Sequence, residues 1–280
     1  MTTVNWIVDS YLTDLNPMVS GFPTLAAAVV EAGLPLHETR YHPQWVDYEV
    51  PFVTGSCVVT YGTHQLIRQM ERAYRVRSWQ PGDFCKIEKH SFSTISSNFS
   101  DLMLSDDYVI LPFSEIVRRR PKAWGGKIFM KPNAVTKSFA GLVVSEDDFD
   151  HEVNCLRQIQ RPDEDMLCVV ARPKVFEGEY RFVIADRKVV TGCQYMWNGA
   201  LDIRTDVPEV CEAMAWEVAG RPWQPDAAYV CDVAWTEERT AARVVEMNTF
   251  SSSGLYACDT RKIVTAISDC ARRQYEEVIT

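Results

Sequence analysis

Apolar and polar positions alternate most clearly in the last third of the chain. Residues 229–235 read YVCDVAW and residues 241–247 read AARVVEM, two β-prone runs joined by the polar segment 236–240. That arrangement predicts a hairpin. Each run carries one acid in apolar company, Asp232 in the first and Glu246 in the second. Asn248 lies two positions past Glu246, and residues i and i+2 of a strand share a face. Glu246 and Asn248 are therefore expected side by side, with Asp232 facing them from the neighbouring strand. Three oxygen-bearing side chains on one face suit a hard cation such as Mg²⁺, which takes one or two carboxylates and fills its shell with water and phosphate oxygens. The alternative is a solvated sheet edge. Val244, Val245 and Met247 favour burial, and a buried carboxylate without a partner is costly.

Earlier in the chain the pattern predicts a strand at 4–8 and a helix at 23–32 stopped by Gly33. An extended stretch at 34–41, a strand at 57–62 and a helix at 63–73 follow, the rhythm of an α/β layer. Arg68 and Arg72 share a helix face four residues apart, which reads as a solvated face. Residues 79–100 look irregular. Their aromatics Trp79, Phe84, Phe92 and Phe99 fit either a satellite core or a pocket lining. A short apolar run at 107–112 precedes a helix at 113–120. Its terminal Arg118, Arg119 and Arg120 suit the negative end of the helix dipole, and Pro121 stops it. The domain boundary is placed there, giving 1–121 as a small α/β domain and 122–280 as a second region.

Beyond it, 127–132 (KIFMKP) is a strand carrying Lys131, 133–138 is a polar loop holding Lys137, and 139–144 is a second strand. Lysines so placed supply point charges for phosphate oxygens; the plainer reading is that they extend into water. A helix at 147–160 and a strand at 166–171 come next. In the strand at 179–185 (EYRFVIA), Glu179 and Arg181 fall on one face, and the chain turns at 186–187 and returns over 188–193. Residues 206–219 form a helix with Asp206 as its expected N-cap and Pro208 in its first turn. A closing amphipathic helix at 261–277 puts Ile263, Ile267, Ala271 and Tyr275 on one face.

Composition narrows the class. The 280 residues are 46% hydrophobic with a net charge of -9. The acidic balance argues against broad nucleic-acid binding. No apolar run approaches the ~20 residues of a membrane span. The first residues lack the basic and apolar regions of a signal peptide. The nine cysteines form no CxxC pair and read as reduced core residues. A soluble cytoplasmic protein is expected.

The order FMKP, NAVTKSFAG, GEYRFVI, VCDVAW and VVEMN resembles the ATP-grasp superfamily, in detail over about residues 124–256. EYR together with EMN and SSSGLY is most similar to the clade named for two arginines and a lysine. The resemblance implies an ATP-grasp fold, mixed α+β and α/β, preceded by a small α/β domain, with ATP held between two β-rich subdomains. By that resemblance Lys131 contacts the α- and β-phosphates and Lys137 covers them. Glu179 holds the ribose, and Asp232, Glu246 and Asn248 hold Mg²⁺. Arg181 faces the transferred phosphoryl group. Residues 168–174, ending in Arg172, Pro173 and Lys174, form the hinge against adenine. Two positions depart from the family pattern. The hinge reads ARPK where many members carry a glutamate, and Val230-Cys231 stands where many carry an arginine before the metal aspartate. Arg172 is instead expected to be the clade's second arginine, facing phosphate or substrate, and Arg181 to take over the charge of the missing arginine. The implied activity is ATP-dependent joining of a small-molecule or peptide carboxylate to an amine through an acyl-phosphate. A non-catalytic nucleotide-binding regulator and a phosphotransferase are the alternatives.

Overall fold

The computed structural model describes residues 2–14, 21–40, 51–53, 55–74, 81–136, 138–235 and 241–279. The front of the chain contains β1 (Val4–Asp9), α1 (Ser10–Asp14), α2 (Leu25–Glu31), β2 (Leu36–Thr39), β3 (Cys57–Tyr61) and α3 (His64–Tyr74). Next come α4 (Phe92–Phe99), β4 (Val109–Pro112), α5 (Phe113–Arg119), β5 (Lys127–Pro132), β6 (Leu142–Ser145) and α6 (Phe149–Cys155), which runs into a π-helical turn. The remainder is β7 (Leu167–Ala171), β8 (Gly178–Ala185), β9 (Lys188–Trp197), β10 (Ala200–Arg204), α7 (Glu209–Gly220), β11 (Ala228–Trp235), β12 (Arg243–Thr249) and α8 (Thr260–Ile279).

These strands form three sheets: parallel β2-β1-β3, and two antiparallel sheets, β10-β9-β8-β11-β12 and β4-β7-β5-β6. Central β1 is apolar nearly throughout because both of its faces are covered, as parallel strands require. Val4, Trp6 and Val8 pack toward α2 and α8, while Ile7 joins Leu66 and Met70 of α3 on the other side. The five-stranded sheet buries Tyr180, Phe182, Tyr229, Cys231 and Val233 against α7 and α4. The four-stranded sheet has its own core, with Phe113, Ile128, Met130 and Phe149 at its centre.

Pro121 does not separate the sheets. β4, on its N-terminal side, pairs with β7, and α8, on its C-terminal side, packs on the parallel sheet. Two local expectations change. The helix expected at 206–219 starts at Glu209 with Pro208 at the N-cap position and no side-chain cap. Asp206 lies two residues outside, because the extended backbone of Pro208 places the first turn after it; Glu209 and Glu212 favour the dipole instead. The region expected to be irregular contains α4, whose N-cap Ser91 accepts from the Thr94 amide. The ladder of β6 begins at Leu142, not at 139. A Cβ on Gly141 would lie 2.9 Å from the Phe129 ring, so the chain passes too close to that ring for a side chain.

Candidate functional site

Along β8 the alternation of GEYRFVI decides which side chains meet. Tyr180 and Phe182 enter the core beneath the five-stranded sheet, and Glu179 and Arg181 point to the opposite face. Arg181 pairs directly across from Asp232 of β11, and Asp232 pairs across from Glu246 of β12. A bulge between Asp232 and Val233 shifts the register of β12 just beyond Glu246.

The result is a continuous chain of polar groups. Arg181 Nε donates to Asp232 Oδ1 at 2.8 Å and Nη2 donates to Oδ2 at 2.7 Å, a bidentate pair with Asp232 fully buried. Arg181 Nη1 donates to the Gly254 carbonyl at 2.8 Å. The guanidinium also lies 5.1 Å from the Tyr195 ring centroid and 5.0 Å from that of Tyr256, and the two rings stack at 4.9 Å. Burial opposes its charge, but Asp232 dominates and holds the Arg181 pKa well above its usual value. Asn248 Nδ2 lies 3.4 Å from Asp232 Oδ2 and donates to Glu246 Oε1 at 2.9 Å. Lys131 Nζ reaches Glu246 Oε2 at 3.2 Å and sits 5.0 Å from the Phe92 ring centroid. Tyr195 donates to Glu179 Oε2. Burial raises the Glu179 pKa above the ordinary carboxylate value, helped by the charges of Asp232 and Glu246 and opposed by the Tyr195 hydrogen bond and Arg181.

This chain borders a cavity of about 580 Å³ between the two antiparallel sheets. Lys131, Glu179, Glu246 and Asn248 line it, as do Arg172 and Lys174 from the segment after β7. Asp232 and Arg181 stand behind that wall. Thus Asp232, Glu246 and Asn248 do come together, while Asp232 spends both oxygens on Arg181. Lys174 lies 3.0 Å from Asp106 and 3.1 Å from Asp107, and the exposed Arg172 lies 3.6 Å from Asp107. Pro173, between them, does not line the cavity. Lys137 falls outside the described residues, as does Trp79. Phe92 lines the cavity, whereas Phe84 and Phe99 are core residues.

Sequence reasoning missed His90, Tyr195, Met196 and Tyr256. No local spacing marks them, since each reaches the site by tertiary packing. Tyr256 has φ +48, an uncommon conformation for a tyrosine, in the turn that brings its ring over Arg181. Among the described residues, no three His, Cys, Asp or Glu side chains form a metal cluster. The donor set still fits Mg²⁺, which needs only one or two protein carboxylates: Glu246 and Asn248 reach the cavity wall together, two lysines flank the space, and Asp232 adjoins them.

Residues 109–266 match the ATP-grasp domain family described as family 2 of the R-two-K clade, and the chain belongs to that family. It has the ATP-grasp fold. Solved structures of similar architecture include D-cycloserine synthetase DcsG, with TM-score 0.63, 12% identity, and coverage of 96% of this chain and 99% of that one. A RimK domain ATP-grasp protein from Sphaerobacter thermophilus gives TM-score 0.61 at 13% identity, covering 95% and 98%. D-alanine–D-alanine ligase from Bacillus anthracis, complexed with ATP, gives 0.59 at 12% identity, covering 99% of each chain. No curated protein matches the chain.

Proposed function

We propose that the protein is an ATP-dependent carboxylate–amine ligase working through an acyl-phosphate. The observation that supports this most is the polar chain Lys131–Glu246–Asn248–Asp232–Arg181 at the wall of the cavity between the two sheets. Lys131 offsets phosphate charge and, on nucleotide binding, exchanges Glu246 for phosphate oxygens. Lys137 covers the phosphates from its loop. Glu179 accepts from ribose hydroxyls, and Arg172 and Lys174 border the base, with Pro173 joining them outside the cavity wall. Glu246 and Asn248, with Asp232 beside them, would hold Mg²⁺. The ion would neutralise the charge developing on the transferred phosphoryl group.

Arg181 has the role most changed by the structure. With three donors committed to Asp232 and Gly254, it fixes the metal aspartate and the 254–256 turn, and only its remaining N–H groups are left for an acyl-phosphate oxygen. The space between the two sheets would shelter the acyl-phosphate from water until the amine attacks. Arg172, Arg181 and Lys131 are the residues proposed as the two arginines and the lysine of the clade. The cytoplasm is the proposed location, supported by nine free cysteines. Among the described residues no helix is long and apolar enough to cross a membrane.

The test is ADP release with ATP, Mg²⁺ and a pool of amino acids and dipeptides, followed by mass spectrometry. The ligase reading expects ADP in step with a new amide, and a hydroxamate when hydroxylamine is the amine. A stable phosphorylated product would indicate a phosphotransferase. Nucleotide binding without any ADP release would indicate a regulator.

A further inference from the structure

His90 belongs to no motif and has no part in the chemistry above. It ends the short 3-10 turn Ile87–His90, is 3% exposed, and lines the same cavity. Its Nδ1 lies 2.9 Å from the Lys86 carbonyl oxygen. A carbonyl only accepts, so Nδ1 carries the proton and Nε2 presents a lone pair. That Nε2 is buried and has no hydrogen-bond partner. Burial also holds the His90 pKa below the usual histidine value, which keeps the ring neutral. The ring is fixed edge-on to Tyr229 at 6.4 Å.

An unmatched buried acceptor is costly and rare in native structures. Phe92, Ile95, Met103 and Met247 line the same cavity, as do the polar Lys131, Asn133 and Asn248. We propose that His90 Nε2 is a ligand-recognition group: it accepts a hydrogen bond from an N–H donor on an otherwise apolar or flat part of the bound ligand. Under the ligase reading, on which this inference rests, two ligands bring such a donor to the cavity. One is the amino group of the nucleobase, and the other is the amine that attacks the acyl-phosphate.

His90→Asn keeps a side-chain N–H near the position of Nδ1 and deletes Nε2, so it separates recognition from support of the turn. ATP and ITP, which carries a carbonyl in place of the amino group, are titrated with Mg²⁺ into wild type and variant. KM and kcat for hydroxylamine are measured with ATP and the amino-acid pool. If the base amine is the donor, wild type prefers ATP to ITP by roughly tenfold and His90→Asn loses that preference. If the co-substrate amine is the donor, nucleotide affinities stay equal and KM for hydroxylamine rises roughly tenfold with kcat retained. A variant with wild-type apo melting, unchanged ATP/ITP preference and unchanged KM overturns the proposal. Should His90→Asn fail to fold, the imidazole ¹⁵N spectrum of wild type decides. The unprotonated Nε2 resonance must move on saturation with MgATP or with hydroxylamine added, and an unmoved resonance overturns the proposal. Absence of all ATP and ITP binding to wild type is a separate outcome, which removes the nucleotide site itself.

Discussion

Two stretches of one sheet face show how differently the same strands are used. Toward one end of β8 and β11, Val183, Ala185, Ala228 and Val230 are buried and pack with α8 and the parallel sheet. Two residues along the same pleat stand Arg181 and Asp232, equally buried but ionic. The apolar stretch gains from burial without any directional demand. The ionic stretch needs directional partners, and Arg181 finds them in Asp232 and Gly254, with two tyrosine rings beside its guanidinium. A sheet that needed only stability could continue the valines. The interruption by charge falls directly behind the wall of the cavity between the two antiparallel sheets.

The largest effect should come from breaking the ionic stretch. Arg181→Met removes one partner and leaves Asp232 charged in the interior, at an expected cost of about 3–5 kcal/mol in the apo protein. Chemical denaturation checks this. A loss no larger than that of Val230→Ala, about 2 kcal/mol for a buried valine truncation, would mean that the two stretches are energetically alike. The double variant Arg181→Met/Asp232→Leu should recover much of the stability while abolishing ADP release, because apolar replacements of a buried pair are often tolerated by the fold.

A smaller effect is expected one layer nearer the cavity. If the charge of Glu246 crowded Asp232, Glu246→Gln would be neutral or mildly stabilising without ligand. The 3.2 Å contact with Lys131 changes that balance. The variant is now expected to lose up to about 1 kcal/mol in the apo protein and most of its ADP release. Wild-type ADP release from folded Glu246→Gln would remove the metal site. Lys131→Ala should likewise weaken the rise in Tm caused by MgATP, since a ligand that binds only the folded state stabilises it in proportion to its affinity.

Glu179 gives the same comparison through pH. Its folded-state pKa is raised, so the folded protein holds the proton more tightly than the unfolded chain. Its contribution to stability is fully present below the unfolded pKa and is lost as pH rises through the folded value. Glu179→Gln should therefore flatten that part of the Tm–pH profile and melt higher than wild type at neutral pH. A variant that keeps the wild-type slope would assign the dependence to another group.

What the sequence revealed follows the range of the physics involved. The period-2 pattern placed Glu179 with Arg181 and Glu246 with Asn248, because strand geometry is local. The strand that carries Lys131 was legible, but its contact with Glu246 was not. The Arg181–Asp232 pair was not: a residue on β8 meets one on β11 only through long-range register, and the sequence alone directed Arg181 to the phosphoryl group. His90 and Tyr195 belonged to no motif, and Tyr256 stood out only as the end of SSSGLY, with nothing to place its ring over Arg181. Asp206 was misplaced because Pro208 set the helix start two residues later.

The smallest stability effect should be at Arg172, and it separates two arginines that the sequence made equivalent. Arg172 has a side chain 83% exposed and only a 3.6 Å approach to Asp107, where Arg181 is locked. Arg172→Ala should change apo stability by less than about 0.5 kcal/mol, as for surface positions generally. Its guanidinium nevertheless lines the cavity with Lys174, free of the geometric commitments that hold Arg181. If it meets phosphate or substrate only when the site fills, its removal should raise KM for ATP or for the carboxylate and leave the melting curve in place. The kinetics and the melt together decide the case. A variant with unchanged Tm and unchanged KM for both substrates would return Arg172 to the solvated surface and leave Arg181 as the one arginine of the pair that the site requires.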